Sequence, residues 1–214
     1  MSLFKRNQLE QALSRTFEEP STKPSSELRT RVKRLLDTDR GLGRNRRSTN
    51  PEVANFAFYT DDSPGRGVEI WFSGYEAFAL LTGLQLLQHG WPQSFAVTVL
   101  RRLRPDLERE HARIIKQDPT ILFNEEAIRR EARPGDLYFG NTDPVLLTIV
   151  SSRPPDKGGN EAATCGVFRG MRLVSEFLKK EVAQSWTLHE LVNPAHALLL
   201  ELSRAHPRKR GRSR

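Results

Sequence analysis

The sequence predicts an α+β protein, in which a mostly helical module with one β-hairpin precedes a small three-stranded sheet with covering helices. Three observations carry this prediction. Apolar residues recur at helical spacing through much of residues 27–116. Two short aromatic segments on either side of a turn-rich stretch over 61–66 are typical of a hairpin. After residue 134 the helical spacing gives way to short, β-rich apolar runs.

Changes in composition divide the chain into four parts. Residues 1–26 hold a short helix and a linker rich in Pro and Ser. Residues 27–133 form the basic helical module, and residues 134–206 form a small α+β domain. Residues 207–214 form a basic tail with five Lys or Arg and no acidic residue.

The basic module begins with a helix, a basic turn and the hairpin. The spacing of four apolar residues predicts a helix from Glu27 to Arg40, and two glycines end it. A basic turn follows over 44–51. The predicted hairpin strands are Phe56–Thr60 and Gly67–Phe72, which are rich in aromatic residues.

A capped helix follows the hairpin. Ser73 is a candidate N-cap, and Glu76 three residues later completes a capping box, so a helix to about Gln88 is predicted. Pro105 is expected to interrupt the helical pattern that comes next, because proline cannot donate to the helical ladder. Further helices are predicted over 94–103, 106–116 and 124–132.

The C-terminal part mixes strands and helices. Short apolar runs with β-branched residues predict the strands, and a second capping-box spacing, Thr187 with Glu190, predicts the start of a helix. The predicted strands are Leu137–Gly140, Val145–Ser151 and Ala163–Phe168, and the predicted helices are Met171–Ala183, Thr187–Val192 and Pro194–Arg204.

The charge of the chain favours a polyanion as partner. The net charge is +8, from 34 Lys and Arg against 26 Asp and Glu. The one cysteine, Cys165, excludes an intramolecular disulfide, which fits a reducing compartment. No apolar run approaches the ~20 residues that span a bilayer, and the first residues lack the apolar run of a secretory signal. We therefore expect a cytoplasmic location and no membrane partner.

The positive charge is concentrated where the first helix of the module meets the basic turn. Residues 29–47 contain eight Lys or Arg and only two Asp. Arg66 adds a cation at the tip of the predicted hairpin, and the tail adds a mobile-arm candidate. Double-stranded DNA is the expected partner. The predicted contacts are Arg29, Arg31, Lys33, Arg34, Arg40, Arg44, Arg46, Arg47, Arg66, Arg208, Lys209 and Arg210.

A family resemblance supports this interpretation. The order basic helix, basic turn, hairpin and capped helix is that of a winged-helix module. Residues 68–80 and 83–92 resemble the wing and the following helices of mercury-resistance-type (MerR-like) regulators. The resemblance implies a transcriptional regulator that forms a homodimer and whose C-terminal part is a sensor or partner domain. It covers about residues 28–103, and the matching residues are Phe58, Tyr59, Phe72, Ser73, Glu76, Gly90 and Trp91.

Two other functions stay open at this point. One is a non-catalytic partner in a larger protein complex. The other is a metal-dependent nuclease, which needs carboxylates that converge on a metal, and the candidate residues are Asp61, Asp62, Asp136 and Asp143.

No residue pattern points to another chemistry. The five histidines lack the i, i+4 spacing of a helical zinc motif, and Cys165 lies in an apolar run typical of a buried small side chain. We therefore expect no catalytic residues, no metal and no cofactor.

Overall fold

The computed structural model describes residues 3–18, 23–60, 69–135, 137–151, 163–180 and 185–205. The described helices are α1 (Arg6–Phe17), α2 (Ser26–Gly41), α3 (Pro51–Ala54), α4 (Gly74–Gln88), α5 (Gln93–Ile114), α6 (Pro119–Leu122), α7 (Glu125–Glu131), α8 (Gly170–Lys180) and α9 (Val192–Arg204). The described strands are β1 (Phe4–Lys5), β2 (Trp71–Phe72), β3 (Val145–Ser151), β4 (Ala163–Arg169) and β5 (Ser185–Glu190). The chain has the α+β composition that the sequence predicts.

The chain forms two compact units. One consists of Met1–Arg104 with Ala197–Arg214, and the other of Pro105–His196. The sequence predicts a boundary between residues 133 and 134, which lies within the second of these units. The chain passes from one unit to the other within α5, after Arg104, and again within α9, after His196. No linker rich in Pro or Gly marks these two points in the sequence.

Helix α4 is the central helix of the first unit. Its apolar side chains lie on every side of the helix, and all except Leu87 are buried, as Phe78 and Leu81 illustrate. Gly83 lies where a Cβ atom would be 3.3 Å from the side chains of Leu35 and Leu100. This glycine therefore lets α2 and α5 approach the middle of α4 closely.

Side-chain caps fix where the helices of the first unit begin. The Ser25 hydroxyl accepts a hydrogen bond of 3.0 Å from the backbone N–H of Leu28 at the start of α2. At the start of α4, Ser73 Oγ accepts from Glu76 N at 3.2 Å, and Glu76 Oε2 accepts from Ser73 N at 2.6 Å. The capping box that the sequence predicts at α4 is therefore confirmed.

The predicted hairpin is wrong. Phe72 and Trp71 pair antiparallel with Phe4 and Lys5, and the described segment 56–60 contains no strand. The reason is that side chains hold the backbone of that segment. Ala57 N and Phe58 N donate to the Asp39 carboxylate at 3.0 Å, and Thr60 N donates to Glu76 Oε1 at 2.6 Å. The intervening residues 61–68 lie outside the described residues.

Pro105 does not interrupt the helix, contrary to the expectation from the sequence. Helix α5 runs from Gln93 to Ile114 with Pro105 inside it. Proline has no N–H for the carbonyl four residues earlier, which is that of Arg101. Asn55 Nδ2 donates to that carbonyl oxygen at 3.4 Å, so the acceptor that Pro105 leaves open is used by a neighbouring segment.

The second unit contains an antiparallel sheet in the order β4-β3-β5. Its centre is β3, whose first six residues are buried, and β3 and β4 confirm two of the predicted strands. The third predicted strand, Leu137–Gly140, is wrong, because those residues form no strand and the edge position is taken by β5.

Strand β5 also replaces a predicted helix. The residues Thr187 and Glu190 have capping-box spacing, yet both lie in β5. Glu190 instead accepts hydrogen bonds from Val192 N at 2.7 Å and Asn193 N at 2.9 Å, so it caps the following helix, α9. Burial raises the pKa of the Glu190 carboxyl, and these bonds oppose that shift.

Helix α8 packs on one face of this sheet. The rings of Phe168 on β4 and Phe177 on α8 have centroids 4.7 Å apart. The predicted helix Met171–Ala183 is confirmed as far as Lys180, and residues 181–184 lie outside the described residues. The predicted helix Pro194–Arg204 is confirmed within α9.

Candidate nucleic-acid interface

Helix α2 has a buried, apolar face and an exposed, basic face. Its buried face consists of four apolar residues and Asp39, which pack into the first unit. Four of the predicted DNA-contacting residues are exposed to solvent on the other side, and Arg31 beside them is half-buried. The exposed cations are Arg29, Lys33, Arg34 and Arg40.

Nearby acids engage some of these cations. Arg31 lies 2.5 Å from Glu27 one turn earlier, and Arg29 lies 3.8 Å from Glu10 of α1. The pair of Arg31 with Glu27 is exposed on both sides, and such a pair contributes little to stability and is screened by salt. Within the described part of the chain, no residue forms an ion pair with Lys33, Arg34 or Arg47.

The loop Leu42–Asn50 continues the basic surface beyond α2. Arg46 and Arg47 are exposed. Arg44 is half-buried, and its guanidinium donates to Ala54 O at 3.0 Å and to Thr60 O at 3.2 Å. Arg44 therefore connects two backbone segments, whereas Arg46 and Arg47 are exposed to solvent.

A buried ion pair lies beneath this surface. The Nε of Arg101 in α5 is 2.6 Å from Asp39 Oδ1, and the side chains are 2% and 0% exposed. Arg101 Nη1 also donates to Gly43 O at 2.8 Å and to Glu52 O at 3.2 Å, and its Nη2 donates to Asp39 O. The charge of Asp39 is thus compensated inside the protein and does not reduce the positive charge of the exposed face.

A second buried arginine holds the segment that follows α3. Arg104 Nη1 donates to Phe56 O at 2.6 Å and to Tyr59 O. Its guanidinium lies 5.3 Å from the centroid of the Tyr75 ring. Together with Asp39 and Glu76, Arg104 satisfies the backbone of an irregular segment that would otherwise be costly to bury.

Tyr59 marks the point where the buried segment meets α2. Its hydroxyl accepts a hydrogen bond of 3.3 Å from Arg40 Nη2. Burial raises the pKa of the Tyr59 phenol, and the charge of Arg40 opposes that shift. Tyr59 therefore stays protonated at neutral pH, and its ring packs edge-on against Phe56 with centroids 5.7 Å apart.

Several predicted site residues lie outside the described residues. The hairpin-tip cation and the cations of the tail belong to this group, as do three of the four nuclease candidates. These residues are Arg66, Arg208, Lys209, Arg210, Asp61, Asp62 and Asp136.

Asp143, the remaining nuclease candidate, is held in a polar cluster of the second unit. Its Oδ2 accepts from Arg169 Nη1 and, at 2.7 Å, from Gln117 Nε2. Arg169 also donates to Glu110 Oε2 at 2.9 Å. Among the described residues, no group of three His, Cys, Asp or Glu side chains is placed to hold a metal ion.

The second unit contains three histidines, of which His189 on β5 is only 4% exposed. His111 is almost fully buried, and desolvation with the nearby His196 lowers its pKa to about 4. His196 Nε2 lies 3.1 Å from Ile114 O, and its ring packs edge-on against Phe123. Cys165 is half-buried on β4. Where the structure describes the chain, these side chains form no group of metal ligands.

Comparison with known protein families finds no matching family model, and comparison with curated proteins finds no match. Among the described residues, no helix combines the length and the apolar character needed to cross a membrane.

Sequence reasoning missed the buried residues behind the basic surface. The sequence did not predict that Arg101 and Arg104 are buried, because charged side chains of a helix normally face solvent. One signal was present. Arg101 and Arg104 follow Val97 at intervals of four and three residues, so they share the buried stripe of α5.

Proposed function

We propose that this protein binds double-stranded DNA without catalysis and acts as a transcriptional regulator. The observation that carries the proposal is the concentration of exposed cations on the outer face of α2 and on the loop Leu42–Asn50. Eight Lys or Arg lie between residues 29 and 47. Asp37 is the one exposed acid in this stretch, because Asp39 is buried against Arg101. Such a surface attracts the phosphates of a nucleic acid.

Duplex DNA fits this surface better than a single strand. Proteins that bind single strands stack bases on exposed aromatic rings. The described segment 23–60 has three aromatic residues, Phe56, Phe58 and Tyr59, and all are buried. Segment 23–60 therefore offers cations to a phosphate backbone and no exposed ring to an unpaired base.

The contacts expected from this geometry are mainly to phosphates. Helix α3, which follows the basic loop, has only four residues and is too short to read a groove as a recognition helix does. Helix α2 is the element with the length and the exposed side chains to lie along a groove. The hairpin that would form the wing of a winged helix is missing from the described residues, because segment 56–60 contains no strand and Trp71 and Phe72 pair with the N-terminal segment.

A second candidate function is that of a partner in a protein complex. The second unit exposes large apolar side chains, among them Tyr138 at 73%, Ile121 at 68% and Trp186 at 51%. Exposed aromatic residues are enriched at protein interfaces. This candidate predicts binding to a protein and no salt-sensitive binding to DNA.

The first experiment compares DNA binding by the wild type and a triple variant, Lys33, Arg34 and Arg47 changed to Ala. Fluorescence anisotropy with random duplex DNA at several salt concentrations gives the affinity and the salt slope. Each lost phosphate contact lowers that slope by about 0.9, so the triple variant should lower it by about 2 to 3 and weaken binding strongly.

The matched control removes the same charge elsewhere. Arg130, Lys179 and Lys180 are exposed on α7 and α8 of the second unit. Changing all three to Ala should leave the slope within about one unit of the wild type, since these side chains are not among the proposed phosphate contacts. Equal losses in both triples would show non-specific attraction only, and no binding by the wild type would overturn the proposed function.

A further inference from the structure

The loop Leu42–Asn50 is held from beneath at both ends. Near its start, Arg101 Nη1 donates to Gly43 O at 2.8 Å. After its end, the same atom donates to Glu52 O at 3.2 Å, and Asn45 N donates to Val53 O at 2.8 Å. The guanidinium that makes these bonds is buried, so its hold on the loop is independent of the exposed cations.

Gly43 gives the loop its sharp turn away from α2. Its φ is +66°, in the left-handed region that favours glycine. Its N–H donates to Arg40 O at 3.0 Å, and a Cβ atom built there would meet nothing within 4 Å. An alanine at this position therefore opposes the backbone conformation without any steric clash.

Asn45 fixes the backbone that carries Arg47. Its Oδ1 accepts a hydrogen bond of 3.1 Å from Arg47 N, two residues on, which is the geometry of an Asx turn. Ser48 N donates to Asn45 O at 3.0 Å in the same turn. The direction in which Arg47 leaves the loop is thus set by an uncharged side chain.

We propose that this loop is a preorganised phosphate-binding element, in which Gly43, Asn45 and the buried Arg101 are positioning residues that aim Arg47 at the DNA backbone. The inference rests on the proposed DNA binding and deepens it. A loop that is already ordered loses little conformational freedom on binding, so its cations gain more affinity than the same cations on a flexible loop. The affinity then depends on uncharged residues that touch no phosphate.

The test compares Gly43→Ala with Gly41→Ala by the same anisotropy titration on the full chain. Gly41 ends α2, has no positive φ and also has open space around it, so alanine is tolerated there. Gly43→Ala should weaken binding to random duplex DNA at least five-fold and lower the salt slope by about one contact. Gly41→Ala should bind as the wild type does. Far-ultraviolet circular dichroism verifies that each variant is folded.

A second pair guards against misfolding. Asn45 and Thr49 are both exposed in the same loop, so neither change should prevent folding. Asn45→Ala should weaken binding and lower the slope, and Thr49→Ala should not. This pair decides the question if Gly43→Ala does not fold or if the two pairs disagree.

The possible failures are distinguishable. Wild-type affinity and slope in both Gly43→Ala and Asn45→Ala would overturn the preorganised loop and leave the proposed DNA binding intact. Absence of binding by the wild type would overturn both. In each variant the net charge is unchanged, so a weaker complex cannot be attributed to lost attraction.

Discussion

Asp39 and Arg101 lie 62 positions apart in the sequence and form an ion pair of 2.6 Å that is almost wholly withdrawn from solvent. Their remaining polar atoms are used as well. Asp39 accepts from Ala57 N and Phe58 N, and Arg101 donates to three backbone carbonyls. A buried pair avoids a net penalty only when such additional bonds satisfy both groups. The pair therefore joins α2, α5 and the two irregular segments between them.

Removing Arg101 should destabilise the fold far more than removing its neighbour. Arg101→Met leaves the Asp39 carboxylate buried without a counter-charge, at a cost of about 3–5 kcal/mol. Arg102→Met is the matched control, because Arg102 pairs with Glu52 at 2.5 Å near the surface, where a pair contributes about 0–1 kcal/mol. Urea unfolding measures both changes, and similar losses in the two variants would contradict the role of the buried pair.

The cap of α4 provides a second stability prediction. Ser73→Ala removes the hydroxyl that accepts from Glu76 N, which should lower the free energy of unfolding by about 1 kcal/mol. Ser175→Ala is the control, because Ser175 is exposed within α8 and caps no helix. Thermal unfolding of the two variants would decide the point, and a loss at Ser175 as large as that at Ser73 would contradict it.

Local sequence patterns were sufficient to predict the helices and strands whose formation depends on residues close together in the sequence. The apolar stripe of α2, the Ser73 box of α4 and the β-branched run of β3 are all encoded within a few residues. The same stripe placed Lys33 and Arg34 on the exposed side of α2. The exposure of Lys33 and Arg34 could therefore be predicted from the sequence, whereas the inward turn of Arg44 could not.

The errors came from contacts between distant residues. The segment 56–60 has the aromatic composition of a strand, but Asp39 and Arg104 bind its backbone, and Trp71 and Phe72 pair with the N-terminal segment instead. Strand propensity is a weak guide when tertiary contacts compete for the same backbone groups. The strand β5 was missed for a related reason, since Glu190 caps the helix after it.

The buried His111 predicts how stability changes with pH. Burial lowers its pKa to about 4, below the value near 6.5 of an exposed histidine. The unfolded chain therefore binds the proton more tightly than the folded chain. The stability that depends on neutral His111 is fully present above pH 6.5 and is lost progressively as the pH falls towards 4.

A His111→Gln variant tests this dependence. It should unfold with a free energy that changes less between pH 7 and pH 4.5 than that of the wild type, by an amount on the order of 2–3 kcal/mol. His89→Gln is the control, since His89 is exposed at the end of α4. Urea unfolding at the two pH values measures the effect. An unchanged pH dependence in His111→Gln would contradict the assignment.

Pro105 lies in the interior of α5 and should lower the stability of the protein. In a helix interior, proline costs up to about 3 kcal/mol because it removes one hydrogen bond and crowds the preceding turn. Asn55 already donates to the Arg101 carbonyl that Pro105 cannot reach, so part of this cost is offset. Pro105→Ala should therefore raise the free energy of unfolding by about 1 kcal/mol.

Pro119→Ala should give no such gain, because Pro119 lies in the first turn of α6, where its missing N–H has no partner to lose. Urea unfolding of both variants measures the difference. If Pro105→Ala destabilised the protein, the prediction would be wrong. The hydrogen bond from Asn55 to the Arg101 carbonyl would then contribute more to stability than the helical hydrogen bond that an alanine at position 105 could donate to the same oxygen.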